Sequence, residues 1–214
     1  VAAGPGLPPA CIEPFGDRVL PANTRLWRVH TASRAGKIFN PCMGEESRFS
    51  PLRDPTGDCI PTLYAGRTRE AAVFETIFRN LPLLPRPRQV FARRIVGSAL
   101  SELRPRRALR LAPLYNAELA LVGQSRLSMI ESHGTAAYGE TARWAEAIHR
   151  DLPNLDGLIW TSRQQDEVQA MLLFGTRITL NDLEVVSTER LDVGPGRQWL
   201  SGMAMAYRID LIPE

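Results

Sequence analysis

The stretch T-L-Y-A-G-R-T-R-E-A-A-V-F-E-T-I-F-R-N, Thr62 to Asn80, decides the fold. It reads as a strand, a turn and a helix. Thr62 to Ala65 is apolar and β-prone, and Gly66 breaks it. Thr68 is placed to cap a helix, with Glu70 in its first turn. Val73, Phe74, Ile77, Phe78 and Leu81 recur at helical spacing as one apolar stripe, which Pro82 ends. Glu75 and Arg79 lie four apart on a face bordering that stripe. Glu75 is therefore either half of a structural ion pair or a site residue.

Upstream, residues 1–23 are rich in Pro, Gly and Ala and read as an extended arm, with a single domain over 24–214. Thr24 to His30 alternates like a first strand, with Arg28 near its end. Thr31 to Pro61 is a long loop, of the kind that carries function, and holds R-F-S-P-L at Arg48–Leu52. Downstream, strands are expected at Gln89–Val96, Ala108–Leu111, Gly157–Trp160, Ala170–Phe174, Leu183–Ser187 and Ala204–Ile212. Helices are expected at Asn116–Val122 and Thr141–Asp151, the second capped by Thr141 or Gly139. D-V-G-P-G-R at 192–197 reads as a turn. Many short strands and few helices make the class α+β.

Composition narrows the function classes. A 44% hydrophobic, 23% charged chain of 214 residues has enough apolar side chain for a core. No apolar run approaches the ~18 residues of a membrane span, so no membrane role is expected. Cys11, Cys42 and Cys59 are widely spaced with no CxxC, which reads as neither a disulfide scaffold nor a zinc site and makes a reducing cytoplasm the simplest compartment. His30, His133 and His149 lack carboxylates at ligand spacing, so no metal is expected. GxSxG, GxxxxGK[ST] and GxGxxG are absent, and Cys42 alone in a loop is a weak nucleophile signal. The net charge of +3 is carried by arginine, since Lys37 is the single lysine. Arginine forks suit phosphate and carboxylate. A basic nucleic-acid-binding module is the competing class, but the arginines are scattered and no nucleic-acid motif accompanies them.

What remains is Arg28, Arg48, Tyr64, Glu75, Arg79 and Ser162 at loops and element ends. Each alone has an ordinary structural explanation. Together, L-W-R-V-H, R-F-S-P-L, T-L-Y-A-G with E-A-A-V-F-E-T-I-F-R, and D-G-L-I-W-T-S-R with L-L-F-G-T-R resemble, in order, the RES domain family from about Arg25 to about Arg177.

That resemblance implies an enzyme that attacks NAD, found mostly as the toxin of bacterial toxin–antitoxin pairs with an Xre-type antitoxin. It implies an ADP-ribosyltransferase-like fold, two small, roughly perpendicular β-sheets flanked by helices, with NAD as substrate in the cleft. Carried over, Arg28 and Glu75 become catalytic, and Arg48, Tyr64 and Arg79 bind NAD. The family's serine falls on Ser162, with Thr141 as a second candidate hydroxyl; Ser47 stands where the family usually has Gly. Arginine forks would hold the pyrophosphate, Tyr64 would stack on nicotinamide, and Glu75 would stabilise an oxocarbenium-like ribose. The acceptor is left open between water, phosphate and a macromolecule. Nucleic acid would be met only through the antitoxin, and the arm at 1–23 is read as wrapping the body or mediating self-association into a homo-oligomer.

Overall fold

A computed structural model describes residues 4–79, 81–82, 87–132 and 134–213. In chain order the elements are β1 (Arg18–Leu20), β2 (Leu26–Thr31), β3 (Leu52–Arg53), β4 (Cys59–Ile60), β5 (Thr62–Gly66), α1 (Arg69–Phe74), β6 (Gln89–Phe91), β7 (Ser98–Pro105), β8 (Leu109–Pro113), α2 (Asn116–Leu121), α3 (Thr135–Asp151), β9 (Gly157–Thr161), β10 (Gln169–Phe174), β11 (Leu183–Arg190), α4 (Gly194–Ala206) and β12 (Asp210–Ile212). Eight strands form one sheet in the order β1-β8-β9-β10-β5-β2-β7-β11, while β6 pairs with β12 and β3 with β4. Only β8 and β9 run parallel within the large sheet.

Where two small sheets are expected, the strands are continuous, but barely so. The two halves meet between β2 and β5 through one register pair, Trp27 with Gly66. One apolar cluster takes Leu26 and Leu103 from one half and Leu63, Leu111, Ile159 and Met171 from the other, so the sheet curls over its own core. The alternation of β9 and β10 follows from the two-residue strand period. Ile159 and Met171 face that inner core, whereas Leu158, Trp160, Ala170 and Leu172 pack with Trp144, Ala145 and Ile148 of α3.

The central stretch folds as strand, turn and helix, with a shorter helix than its stripe predicts. Thr68 Oγ1 accepts the Ala71 N–H at 3.1 Å, so the cap is made. A Cβ on Gly66 would lie 2.7 Å from Ala72 N, which is why glycine ends β5 beneath α1. The helix stops at Phe74 because Thr76 Oγ1 donates to Ala72 O at 2.6 Å and the Phe78 N–H bonds Val73 O at 3.0 Å, shifting the ladder. Val73, Phe74, Ile77, Phe78 and Leu81 are all buried nonetheless, against Leu200, Met203 and Ala204 of α4.

Several other expectations change. Gly194–Arg197 are not a turn and Ala204–Ala206 not strand: both lie in α4, which Val193 caps and β12 follows. Gly194 takes a φ of +60°, and Pro195 sits in the first helical turn, where its missing N–H has no partner to lose. Only Gln89–Phe91 of the 89–96 stretch is strand, and Ala92–Arg94 is a 3-10 turn. The α3 helix opens at Thr135, which places Thr141 inside it rather than at its cap. The connection over 83–86 and His133 lie outside the described residues.

The arm is tied to the body over part of its length. Ile12 and Phe15 belong to the core beneath α3, β1 pairs with β8, and Trp144 Nε1 donates to Gly6 O at 3.0 Å. The cysteine reading is corrected: Cys42 and Cys59 form a disulfide that closes the loop onto β4, and Cys11 is free and exposed. Proximity of these two thiols is set by the fold, not by their spacing of 17 residues, so no sequence motif announces it. The argument from unpaired cysteines to a reducing compartment falls with it. Among the described residues no helix is long and apolar enough to cross a membrane.

Candidate active site

The long loop between β2 and β5 is built around two arginines. Arg28, on β2, is buried and donates from Nη1 to Gly36 O at 2.7 Å and Ile38 O at 2.6 Å. Burial, with the nearby Arg34 charge, brings its pKa down to about 10, so it remains a cation at neutral pH. It lines a cleft of about 520 Å³ together with His30, Arg34, Asn40, Met43, Tyr64 and Thr76.

Arg48 is carried on a tight turn that is pinned from three sides. The Phe49 N–H donates to Tyr64 Oη at 3.1 Å, and Ser47 Oγ shares a hydrogen bond with the same hydroxyl at 3.1 Å. Ser50 Oγ and Thr62 Oγ1 meet at 3.2 Å. Thr141, fully buried in α3, donates its hydroxyl to Arg48 O. Burial raises the Tyr64 phenol pKa, so the group stays neutral and is committed to holding this turn. Thr141 likewise acts on the backbone of Arg48 and does not line the cavity.

Glu75 occupies the C-cap of α1, at the point where the helix gives way to turns. Its side chain is only 9% exposed. Ser162 Oγ, at the end of β9 and fully buried, donates to Glu75 Oε1 at 2.8 Å. Arg48 Nη1 lies 3.9 Å from Glu75 Oε2. The helix pair with Arg79 is not made: Arg79 reaches the exposed Glu45 at 3.7 Å instead. With the α-helical ladder broken after Phe74, residues four apart no longer share a face.

Around this carboxylate lies an inner cavity of about 80 Å³. Arg48, Tyr64, Glu75 and Arg79 line it, joined by Tyr138 and Arg163. It shares Tyr64 and Thr76 with the larger cleft, so the two spaces adjoin there. Of the expected site residues, Arg48, Tyr64, Glu75 and Arg79 are thus brought to one wall, and Arg28 stands in the adjoining cleft. Ser162 and Thr141 sit behind the wall and orient Glu75 and Arg48. Arg163 and Tyr138 were missed. Arg163 directly follows the W-T-S block, and a third arginine beside a site serine was the signal. The excess of guanidinium over carboxylate suits the cavity to an anion.

Residues 25–193 match the model of the RES domain. The chain belongs to the RES domain family. Its fold is similar to that of a chain in the crystal structure of the M. tuberculosis MbcT–MbcA toxin–antitoxin complex, with a TM-score of 0.55 at 11% sequence identity, over 82% of this chain and 86% of that one. No curated protein sequence matches it. The RES match takes in every residue of the inner cavity.

Proposed function

We propose that this RES domain protein consumes NAD by cleaving its nicotinamide–ribose bond and acts in the cytoplasm as the toxin of a toxin–antitoxin pair. The observation that carries the reading is Glu75, a buried carboxylate fixed by Ser162 and Arg48 in the wall of an arginine-lined cavity that adjoins a cleft of nucleotide size. As the C–N bond breaks, its electron pair leaves with nicotinamide, which departs neutral, and positive charge develops on the ribose. A fixed carboxylate such as Glu75 stabilises that charge without having to reorganise. A new C–O bond to water, with its proton lost to solvent, or to an anionic phosphate oxygen completes the reaction.

The guanidiniums of Arg48 and Arg79 supply forks for phosphate oxygens, and the Arg28 cation flanks the larger cleft. Tyr64 serves by its buried hydroxyl, which holds the Arg48 turn, rather than by a free stacking face. No metal is called for. Curling of one sheet that is nearly split at β2–β5 goes with an ADP-ribosyltransferase-like reading of the fold. A cytoplasmic NAD-consuming enzyme would harm its own cell, so an Xre-type antitoxin that covers the cleft completes the proposal.

The test is incubation of the purified chain with NAD, with and without inorganic phosphate. Release of free nicotinamide is expected, with ADP-ribose as product in plain buffer or its 1″-phosphate when phosphate is the acceptor. Nicotinamide release only when a macromolecule is added, with label on that macromolecule, would turn the reading into an ADP-ribosyltransferase. Salt-sensitive oligonucleotide binding with NAD left intact would replace the enzyme by a nucleic-acid-binding module.

A further inference from the structure

The inner cavity is far smaller than the clefts of about 300–1,000 Å³ that take whole ligands. It suits a compact charged group better than a ring system. Three arginines line it, against the single carboxylate Glu75. That carboxylate is already answered, by the Ser162 hydroxyl at 2.8 Å and by Arg48 at 3.9 Å. Two forks are left over. Arg79 reaches Glu45, but the Glu45 side chain is 88% exposed, and a solvated pair of this kind is weak and easily displaced.

Arg163 is the more telling of the two. It is half-buried, and burial together with the like charge of Arg48 lowers its pKa. Nε of Arg48, of Arg79 and of Arg163 is buried with no hydrogen-bond partner among the described residues. Holding converging cations with open donors is unfavourable unless an anion comes to satisfy them. Arg163 also adjoins Ser162 in the chain, so the segment that orients Glu75 delivers this fork as well.

We infer that Arg163 is an anion-recognition residue, which with Arg48 and Arg79 forms a site for one phosphate group in the inner cavity. The group belongs either to the pyrophosphate of the dinucleotide or to a free inorganic phosphate; the chemistry of recognition is the same. The inference rests on the NAD reading for its biological substrate, but not for the binding itself.

The experiment therefore has a binding arm and a turnover arm. In the first, pyrophosphate and inorganic phosphate are titrated calorimetrically into the wild type, Arg163→Met and Arg163→Lys. Loss of the fork is expected to weaken binding about ten- to a hundredfold in Arg163→Met, with Arg163→Lys intermediate, because a lysine keeps the charge without the bidentate geometry. In the second, KM and kcat are measured with NAD, at varied phosphate, and with nicotinamide riboside, which carries no phosphate. A rise in KM for NAD at nearly unchanged kcat, absent for nicotinamide riboside, assigns the site to the dinucleotide. A rise in the phosphate requirement alone assigns it to free phosphate. Equal anion binding in all three proteins, with unchanged kinetics, overturns the inference. If the wild type consumes no NAD, the enzyme reading fails on its own, and the binding arm still decides the role of Arg163. Should Arg163→Met not fold, Arg163→Lys carries the same comparison, and wild-type binding by that variant counts against the fork.

Discussion

Arg107 and the cavity arginines show the same side chain in opposite conditions. Arg107 meets Asp156 in bidentate fashion, at 2.7 and 3.0 Å, and donates to Ala108 O at 3.0 Å and Arg177 O at 3.1 Å. Asp182 stands 3.5 Å from its Nε. Asp156 in turn accepts the Arg110 N–H at 2.8 Å, locking β8 to the approach of β9. The hydrogen bond with Asp156 raises the Arg107 pKa, so the protein itself stabilises this cation. At the inner cavity Arg48 has a single distant carboxylate, and Arg163 feels burial and the like charge of Arg48 more than the pull of Glu131 and Glu75. The guanidinium of Arg107 has its donors filled by the fold, whereas the three cavity guanidiniums each keep a buried Nε open beside the proposed phosphate site.

The largest expected effect lies on the cavity side. Glu75→Gln keeps size and can still accept the Ser162 hydroxyl, but it leaves buried Arg48 without its carboxylate, so a lower melting temperature is expected and turnover is scored per folded molecule. Removing the charge should lower NAD turnover by about 10²–10³. Normal turnover in the folded variant would remove Glu75 from the mechanism and blur the contrast drawn above. The disulfide is next. Cys42 and Cys59 are 17 apart, and the chain-entropy model gives about 3 kcal/mol for a loop of that size. Replacing both by serine should shift the urea midpoint accordingly, and it touches the loop that carries Arg48. An unshifted midpoint would show that this loop is held by its hydrogen bonds alone.

Breaking the satisfied arginine should cost stability and spare turnover. Arg107→Gln removes hydrogen bonds to a charged partner and should cost roughly 1.5–3 kcal/mol of stability. Turnover per folded molecule should be unchanged, since Arg107 lines neither space. A fall in kcat at full foldedness would break the division between structural and ligand-facing arginines.

A pH dependence sits next to the same clamp. Arg177, whose carbonyl Arg107 holds, donates to His149 O at 2.8 Å, and the His149 ring stands edge-on to Phe174 at 5.0 Å. Burial, then the Arg177 charge, lowers the His149 pKa to about 4. The unfolded ring titrates near 6.5, so as pH falls the unfolded chain takes up the proton first. Stability from the neutral ring is full above about 6.5, is lost progressively down to about 4, and is flat below. Urea unfolding across that window should show the slope in the wild type and a shallower one in His149→Gln, since burial lowers the His30 pKa as well.

Local chemistry was legible where neighbours in sequence decide it. The Thr68 cap, the stripe from Val73 to Leu81 and the short apolar runs Gly157–Trp160 and Ala170–Phe174 depend on capping, helical period and run length, and they stand in the structure. Most of the cavity wall was legible through motif order, in which Arg48, Tyr64, Glu75 and Arg79 recur. The α4 helix was hidden because G-P-G reads as a turn unless something packs on the helix that follows, and the stripe of α1 is what does so.

By itself, then, the sequence determined the strand–turn–helix at its centre, the α+β class and the RES membership, because each rests on residue type and spacing. The tertiary structure alone decided which partners those residues take. It set Glu75 on Ser162 and Arg48 instead of Arg79, joined Cys42 to Cys59, gave the Tyr64 hydroxyl to the Arg48 turn and brought Arg163 into the cavity. Hydrogen bonds and ion pairs act over a few ångströms, and Ser162 stands 87 residues from Glu75. Only the folded chain makes that separation short.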